Sequence, residues 1–218
     1  MLQPEKNPIL FPQAKRAKDS KESKEFGELK KEKRLKRAAK RRTCNALLKA
    51  ESAAALIREI PATDESLHFI CNGNFGLWDV IPAILKLTKR RIRRADISTL
   101  SLSCSNIQSI DEFLTSGKIK YLHLIYSVYF AKTSTIETNK LKAAIEGKNA
   151  RIAALRTHAK ILALELDDRT CLTVETSANL RSCSNLEQYT ITNSKPLMNF
   201  HRDWISDAIE EFEDSPQK

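Results

Sequence analysis

From residue 66 to residue 212 the sequence alternates short apolar runs with amphipathic stretches of helical period, and this alternation restricts the fold more than any other feature. LHFIC (67–71) is a short apolar run that reads as a buried strand, followed by the glycine-containing turn NGNFG (72–76). LWDVIPAILKLTKRR (77–91) spaces Leu77, Val80, Ile81, Ile84, Leu85 and Leu87 along one face of a helix. ISTLSLS (97–103) alternates with period two, and NIQSIDEFLTSG (106–117) predicts a helix stopped by Gly117. KYLHLIYSVYFA (120–131) is strand-rich, and TIETNKLKAAIEG (135–147) is a helix closed by glycine. Three strand-like runs follow at 151–156, 158–166 and 171–178, with Asp167–Asp168 as a turn, and NFHRDWISDAIEEF (199–212) closes the chain as an amphipathic helix. Strands separated by helices predict an α/β fold, a sheet with helices on both faces. The chain has 218 residues, 41% of them apolar, enough for one domain with an appendage.

Charge separates the appendage from the body. Of 37 Lys and Arg and 27 Asp and Glu, residues 1–50 hold 16 and 6, so the whole excess of +10 sits in the first quarter of the chain. Residues 1–27, with Pro4, Pro8 and Pro12, read as extended or disordered. Residues 28–59 contain neither Gly nor Pro and favour helix up to Pro61. The expected division is a basic arm over 1–60 and a globular domain over 61–218. Leu47, Leu48, Ala54, Leu56 and Ile57 can dock the second half of that helix on the body. Its first half carries Lys30, Lys31, Lys33, Arg34, Lys36, Arg37, Lys40, Arg41 and Arg42 within thirteen residues, on every side of a helix. That arrangement suits a polyanion, bound through phosphates without base information. Lys89, Arg90, Arg91, Arg93 and Arg94 form a second basic cluster, which either extends that track or ends the preceding helix favourably.

Five widely spaced cysteines, Cys44, Cys71, Cys104, Cys171 and Cys183, form neither a disulfide framework nor a zinc pattern. The N-terminus lacks an apolar core of signal-peptide length, and the longest nearly apolar stretch, Tyr121–Ala131, is far too short to span a bilayer. The expectation is a cytoplasmic protein with no membrane partner, no metal and no cofactor.

Segment 157–188 concentrates the chemistry. On a strand, His158 and Lys160 share one face while Glu165 turns the other way. A returning strand ending in Ser177, Ala178 and Asn179, read as turning toward a helix, can bring a hydroxyl and a carboxamide near the imidazole and the ammonium. Glu187 follows and can orient the imidazole. These groups together make a phosphate site. The remaining histidines are assigned to packing: His68 and His123 to the core, His201 to solvent or to the packing of Trp204. Tyr121, Tyr126, Tyr129 and Phe130 are assigned to the core, and Asn72–Gly76 is a lone loop, too weak a signal for a phosphate cradle.

This segment resembles the phospholipase D superfamily, whose signature is HxK, four residues, an acid, then a small-residue stretch ending in Asn. The counterparts are His158-Ala-Lys160, Glu165 and Thr176-Ser177-Ala178-Asn179, with Glu187 downstream. The likeness is nearest to small bacterial endonucleases with a single motif and to phospholipase D-like proteins of phage and prophage genomes. Glu165 stands where the family has Asp, and Thr176 where a Gly usually precedes the Ser. The resemblance implies a mixed sheet flanked by helices and a metal-independent phosphodiesterase. In it His158 attacks phosphorus, Lys160 and Asn179 hold the non-bridging oxygens, Ser177 adds a hydrogen bond and Glu187 fixes an imidazole. No other histidine has Lys two residues later and no internal repeat is visible, so the chain carries one half-site. The expectation is a homodimer that pairs two copies of His158.

The expected substrate is nucleic acid, with DNA favoured over RNA. The alternatives are an inactive, nucleic-acid-binding or regulatory phage-type protein and a lipid phosphodiesterase. Removing residues 1–45 is expected to weaken binding to DNA and to flatten its dependence on salt, measured by titration across a salt series. An unchanged affinity and slope would remove the arm from the interaction.

Overall fold

The structure, a computed structural model, describes residues 46–181 and 184–213. The nine cationic positions from Lys30 to Arg42 and the expected extended stretch 1–27 lie outside the described residues. A helix over 46–57, α1, leads into the body. It buries Ala53 and Ile57 in the main core, whereas Leu47, Leu48 and Leu56, expected to dock, are exposed.

Seven strands and five further helices follow: β1 (Ser66–Cys71), α2 (Leu77–Thr88), β2 (Ile92–Thr99), α3 (Cys104–Thr115), β3 (Leu122–Ser127), α4 (Val128–Thr133), α5 (Thr135–Ile145), β4 (Ala150–Leu155), β5 (Ile161–Leu166), β6 (Cys171–Thr176), β7 (Glu187–Asn193) and α6 (Lys195–Phe212). One mixed sheet takes the order β1-β7-β6-β5-β2-β3-β4. Strands β2, β3 and β4 run parallel, while β5 opposes β2 and β6, β7 and β1 continue antiparallel. Central β5 is buried at every position, which explains why ILALEL reads as a continuous apolar run rather than an alternation.

Helices cover both faces, as expected. Ile125, Ala153 and Leu155 pack against Ile205 and Ile209 of α6 on one face. Leu124, Tyr126 and Ile152 point the other way, into the larger core with Val80, Ile81 and Ile84 of α2 and Ile107 and Ile110 of α3. Gly117 and Gly147 follow α3 and α5 with φ of +68° and +69°, the left-handed conformation that ends a helix at no steric cost.

Several boundaries differ from expectation. The strand expected over 120–131 stops at Ser127, whose hydroxyl accepts the Phe130 N–H and starts α4, so Tyr129 is exposed while Tyr126 and Phe130 are buried. Tyr121, also expected in the core, is 42% exposed. β2 starts five residues earlier than expected, so Arg93 and Arg94 belong to a strand rather than to the tail of α2. After Asn179 the chain continues into β7, which pairs with β1 and β6, rather than into a helix. Threonines at 190 and 192 alternate there with Tyr189 and Ile191, a β-prone pattern with little apolar signal.

The N-terminus of α2 is closed by Asp79, whose carboxylate accepts the Gly76 N–H at 2.7 Å. Burial pushes the Asp79 carboxyl above the usual carboxylate range; the Gly76 bond and the charge of Lys49 offset part of this. A raised folded-state pKa means that protonation favours folding. Asp79 therefore supports stability at pH below its ordinary value of 3.8, and that support is lost as pH rises through the raised value. Asp79→Asn keeps an acceptor for Gly76 and removes the titration. Its Tm is expected to gain on the parent's as pH is raised from about 3 to about 7. Parallel Tm curves would contradict the burial of this carboxyl.

Candidate functional site

Strand direction brings the chemistry-bearing residues to one pole. The parallel strands end there at Thr99, Ser127 and Leu155, β5 and β7 begin there, and β6 and β1 end there. His158 and Lys160 immediately precede β5, Ser177 and Asn179 follow β6, and Glu187 opens β7. Ligands of open α/β sheets bind at this carboxyl pole, where loops rather than paired strands supply the groups.

Hydrogen bonds fix how these segments meet. Thr176 N–H donates to Lys160 O at 3.2 Å, placing the two segments side by side. Ser177 N–H donates to Gln188 O at 3.2 Å, and Ser177 Oγ accepts Gln188 N–H at 3.0 Å while donating to the Glu187 carboxylate. Asn179 O accepts Leu77 N–H at 2.9 Å, and Leu180 O accepts Trp78 N–H at 3.4 Å. These two carbonyls satisfy the first free amides of α2 and hold the corner after β6 against that helix. Leu180 N–H reaches Thr99 Oγ1 at 3.2 Å, tying the corner to β2. Asn179 Oδ1 is buried and accepts no hydrogen bond among the described residues.

His158 and Lys160 are not on a strand, contrary to expectation. Ser98 Oγ donates to Ala159 O at 3.0 Å, and Ala159 N–H donates to Thr157 Oγ1 at 3.1 Å. With its amide and carbonyl held by hydroxyls, Ala159 stays out of the ladder, and β5 begins only at Ile161. His158 is exposed; Lys160 is half-buried, and its ammonium donates to His158 O at 2.7 Å. The Thr176 hydroxyl donates to Gln188 O and accepts Ala178 N–H, so it closes the turn rather than pointing freely outward.

Glu165 lies near the far end of β5, away from this pole. It is 9% exposed and accepts from Arg93 at 3.0 Å, Arg169 at 2.8 Å and Arg202 at 2.8 Å. Arg202 also approaches Asp96 at 3.7 Å, and Asp96, 1% exposed, is gripped by Arg94 at 2.7 Å. His123 Nδ1 lies 3.3 Å from Asp96, so this histidine belongs to the charge network rather than to an apolar core. His68 is exposed beside Thr190 Oγ1 at 3.1 Å, again not a core residue. His201 is buried in α6: Trp204 Nε1–H donates to its Nδ1 at 3.0 Å, and its Nε2 lies 3.2 Å from Glu175. Because an indole N–H can only donate, Nδ1 is unprotonated and Nε2 carries the proton toward Glu175. Sequence spacing gave no signal for that buried pair beyond the i, i+3 placement of His201 and Trp204.

Among the described residues no group of three or more His, Cys, Asp or Glu is placed to hold a metal ion, and no helix is long and apolar enough to cross a membrane.

No family model matches the chain, and no curated protein matches it in sequence. Solved structures do. Nuc, a phospholipase D family member from Salmonella typhimurium, matches with TM-score 0.48 and 9% identity over 70% of this chain and 100% of its own. NucT from Helicobacter pylori matches with TM-score 0.45 and 15% identity over 68% of this chain and 98% of its own. Polyphosphate kinase from Porphyromonas gingivalis reaches a TM-score of 0.50 at 9% identity over 75% of this chain, which spans 30% of the kinase. At these identities the likeness is one of fold. The expected fold class, a mixed α/β sheet flanked by helices on both faces, is the one observed.

The charge network gives Glu165 a structural role that can be measured. Arg202→Ala leaves two buried carboxylates with one cation fewer, each still paired, and is expected to cost about 1–3 kcal/mol in urea unfolding. A loss below about 1 kcal/mol would place the network among those that contribute nothing to stability.

Proposed function

We propose that this chain is a nuclease-type phosphodiesterase that cleaves nucleic acid without a metal, through a phosphohistidine on His158, as a homodimer. The observation that carries the reading is the gathering of His158, Lys160, Ser177, Asn179 and Glu187 from three separate segments at one pole of the sheet. His158 is exposed, as a nucleophile that meets a polymeric phosphodiester has to be.

In the proposed reaction an imidazole nitrogen of His158 forms a bond to phosphorus while the bond from phosphorus to the leaving oxygen breaks. The leaving oxygen takes a proton from a second histidine, which then removes a proton from the water that hydrolyses the phosphohistidine. Lys160 and Asn179 meet the charge that develops on the non-bridging oxygens. The half-buried Asn179 has an unpartnered Oδ1, so no hydrogen bond to that oxygen fixes its amide, and a half-turn about the last torsion exchanges Oδ1 and Nδ2. Ser177 links Asn179's corner to Glu187. The second histidine is assigned to His158 of another copy: His123 is engaged with Asp96, His201 of α6 with Glu175 and Trp204, and His68 lies on edge strand β1. The basic arm supplies the affinity for a polyanion, with DNA the favoured substrate.

A second reading, a phage-type binding or regulatory protein without turnover, is favoured by two contacts. Lys160 is turned onto His158 O, and the Thr176 hydroxyl fills the turn where the resembled family carries Gly.

The full chain is expected to digest plasmid, linear DNA or RNA in EDTA. His158→Ala is expected to lower kcat by at least about 10³-fold and Asn179→Ala by about 10²-fold. Unimpaired binding with no turnover in the parent chain would select the second reading. Turnover by a monomer would contradict the paired half-sites.

A further inference from the structure

At the opposite pole of the sheet lies a cleft of about 490 Å³, whose lining includes Arg91, Arg93, Leu114, Lys120, Asp167 and Arg169. Four of its residues are cations and one, Asp167, is an anion. Its walls are fixed by backbone bonds: Ile92 N–H to Lys118 O at 2.8 Å, Lys120 N–H to Ile92 O at 2.9 Å, and Asp167 N–H to Arg91 O at 2.9 Å. Asp167 also accepts the Arg91 N–H at 3.3 Å, so its carboxylate is partly occupied by the wall itself.

The fold engages the cations only in part: Lys120 Nζ lies 5.2 Å from the centroid of the Tyr121 ring, and Arg93 and Arg169 share Glu165. The Arg91 guanidinium has no ion pair among the described residues. Arg93 and Arg169 each give one N–H to Glu165, yet 43% and 69% of their side chains stay exposed, and a guanidinium holds five donors. A bulge in β2 between Ile92 and Arg94 opposes two residues to one on β5, and its extra residue is Arg93. Bulges of this kind re-aim a side chain, and here the side chain lines the cleft. Nor are the cations needed to cap α3, whose last carbonyls already accept Ser116, Gly117 and Ile119 amides. Half-buried Leu114 adds an apolar surface over the fully buried Ile92 and Ile119, and Asn149 adds a carboxamide. A volume of this size, with an apolar wall, a few polar groups and a cationic rim, suits a flat apolar ring bearing phosphate.

We propose that this cleft binds a nucleoside phosphate, free or as the terminus of a nucleic-acid strand, with the phosphoryl group on Arg91 and Lys120 and the base against Leu114. The site is independent of the reaction proposed at His158.

The test is calorimetric titration of the full chain with ATP, inorganic phosphate, and a short oligonucleotide with or without a 5′-phosphate. Arg91→Ala/Lys120→Ala is expected to weaken ATP at least about tenfold. Lys132→Ala/Lys142→Ala, which removes the same charge from α4 and α5, and His158→Ala are expected to leave it within about twofold. Gly117 has φ +68° and open space where a Cβ would stand. Gly117→Asp and Gly117→Asn share the same backbone strain, so an equal Tm with weaker ATP binding only in Gly117→Asp isolates the carboxylate's repulsion. Tighter ATP than 5′-phosphorylated oligonucleotide identifies the free nucleotide as ligand; the reverse identifies the strand terminus. Undetectable ATP binding to the parent chain, equal affinity in the Arg91/Lys120 pair, or loss with His158→Ala overturns the proposal.

Discussion

Strand β5 opposes β2, and the geometry of the molecule depends on that reversal. Three parallel strands deliver their carboxyl ends to one pole, and loops rather than paired strands meet there. An antiparallel β5 has to begin at the same pole, so the residues just before it, His158 and Lys160, are carried to the mouth. The ladders β5–β6 and β6–β7 then set which residues face them. Ile161 pairs with Glu175 and Thr176 with Tyr189, which puts the corner 177–179 beside Lys160 and Glu187. A slip of one residue in either ladder would move every one of these side chains to the other face. The register is held from both sides, because β5 is buried throughout and tolerates no exchange of faces.

The same strand organises charge at its far end. Glu165 and Asp96 lie under α6 among Arg93, Arg94, Arg169 and Arg202. Burying two carboxylates gains little over an apolar packing of equal volume. What the arrangement does give is direction. Arg202 reaches both carboxylates, so α6 is fixed along the sheet as well as against it, which the apolar contacts of Ile205 and Ile209 alone do not specify. An apolar isostere of Glu165 would pack, yet it would release Arg93 and Arg169 at the rim of the cleft.

The fold was legible where periodicity and burial agree. The apolar faces of α2 and α6, the strand run in β5 and the glycine stops after α3 and α5 follow from side-chain spacing and from φ. It was illegible where hydroxyls take over from apolar contact. Ser98 and Thr157 withhold Ala159 from the ladder, Ser127 turns a β-prone sequence into α4, and the threonines of β7 hide a strand. The candidate site shows the same division. The spacing of His158, Lys160, Ser177 and Asn179 could be read in sequence, but the link from Ser177 to Glu187 depends on a seventh strand that the pattern did not announce. The tertiary network of Glu165 draws on Arg93, Arg169 and Arg202, of which only Arg169, at i+4, is near in sequence.

Two poles on one sheet bear on how ligands would act on each other. β5 spans Ile161–Leu166, so Lys160 and Glu165 sit about 17 Å apart along an extended strand. A single phosphodiester cannot touch both ends. Coupling between them would need an element with two arrangements that both ligands bias. The strand between them is buried on both faces, paired on both edges and tied to α6 by the charge network, which leaves it no second arrangement to adopt. Binding energies at the two poles therefore add, as for separated sites without shared partners. Only a ligand long enough to bridge the poles would escape this, because tethering raises the local concentration of its second end without any change in the protein.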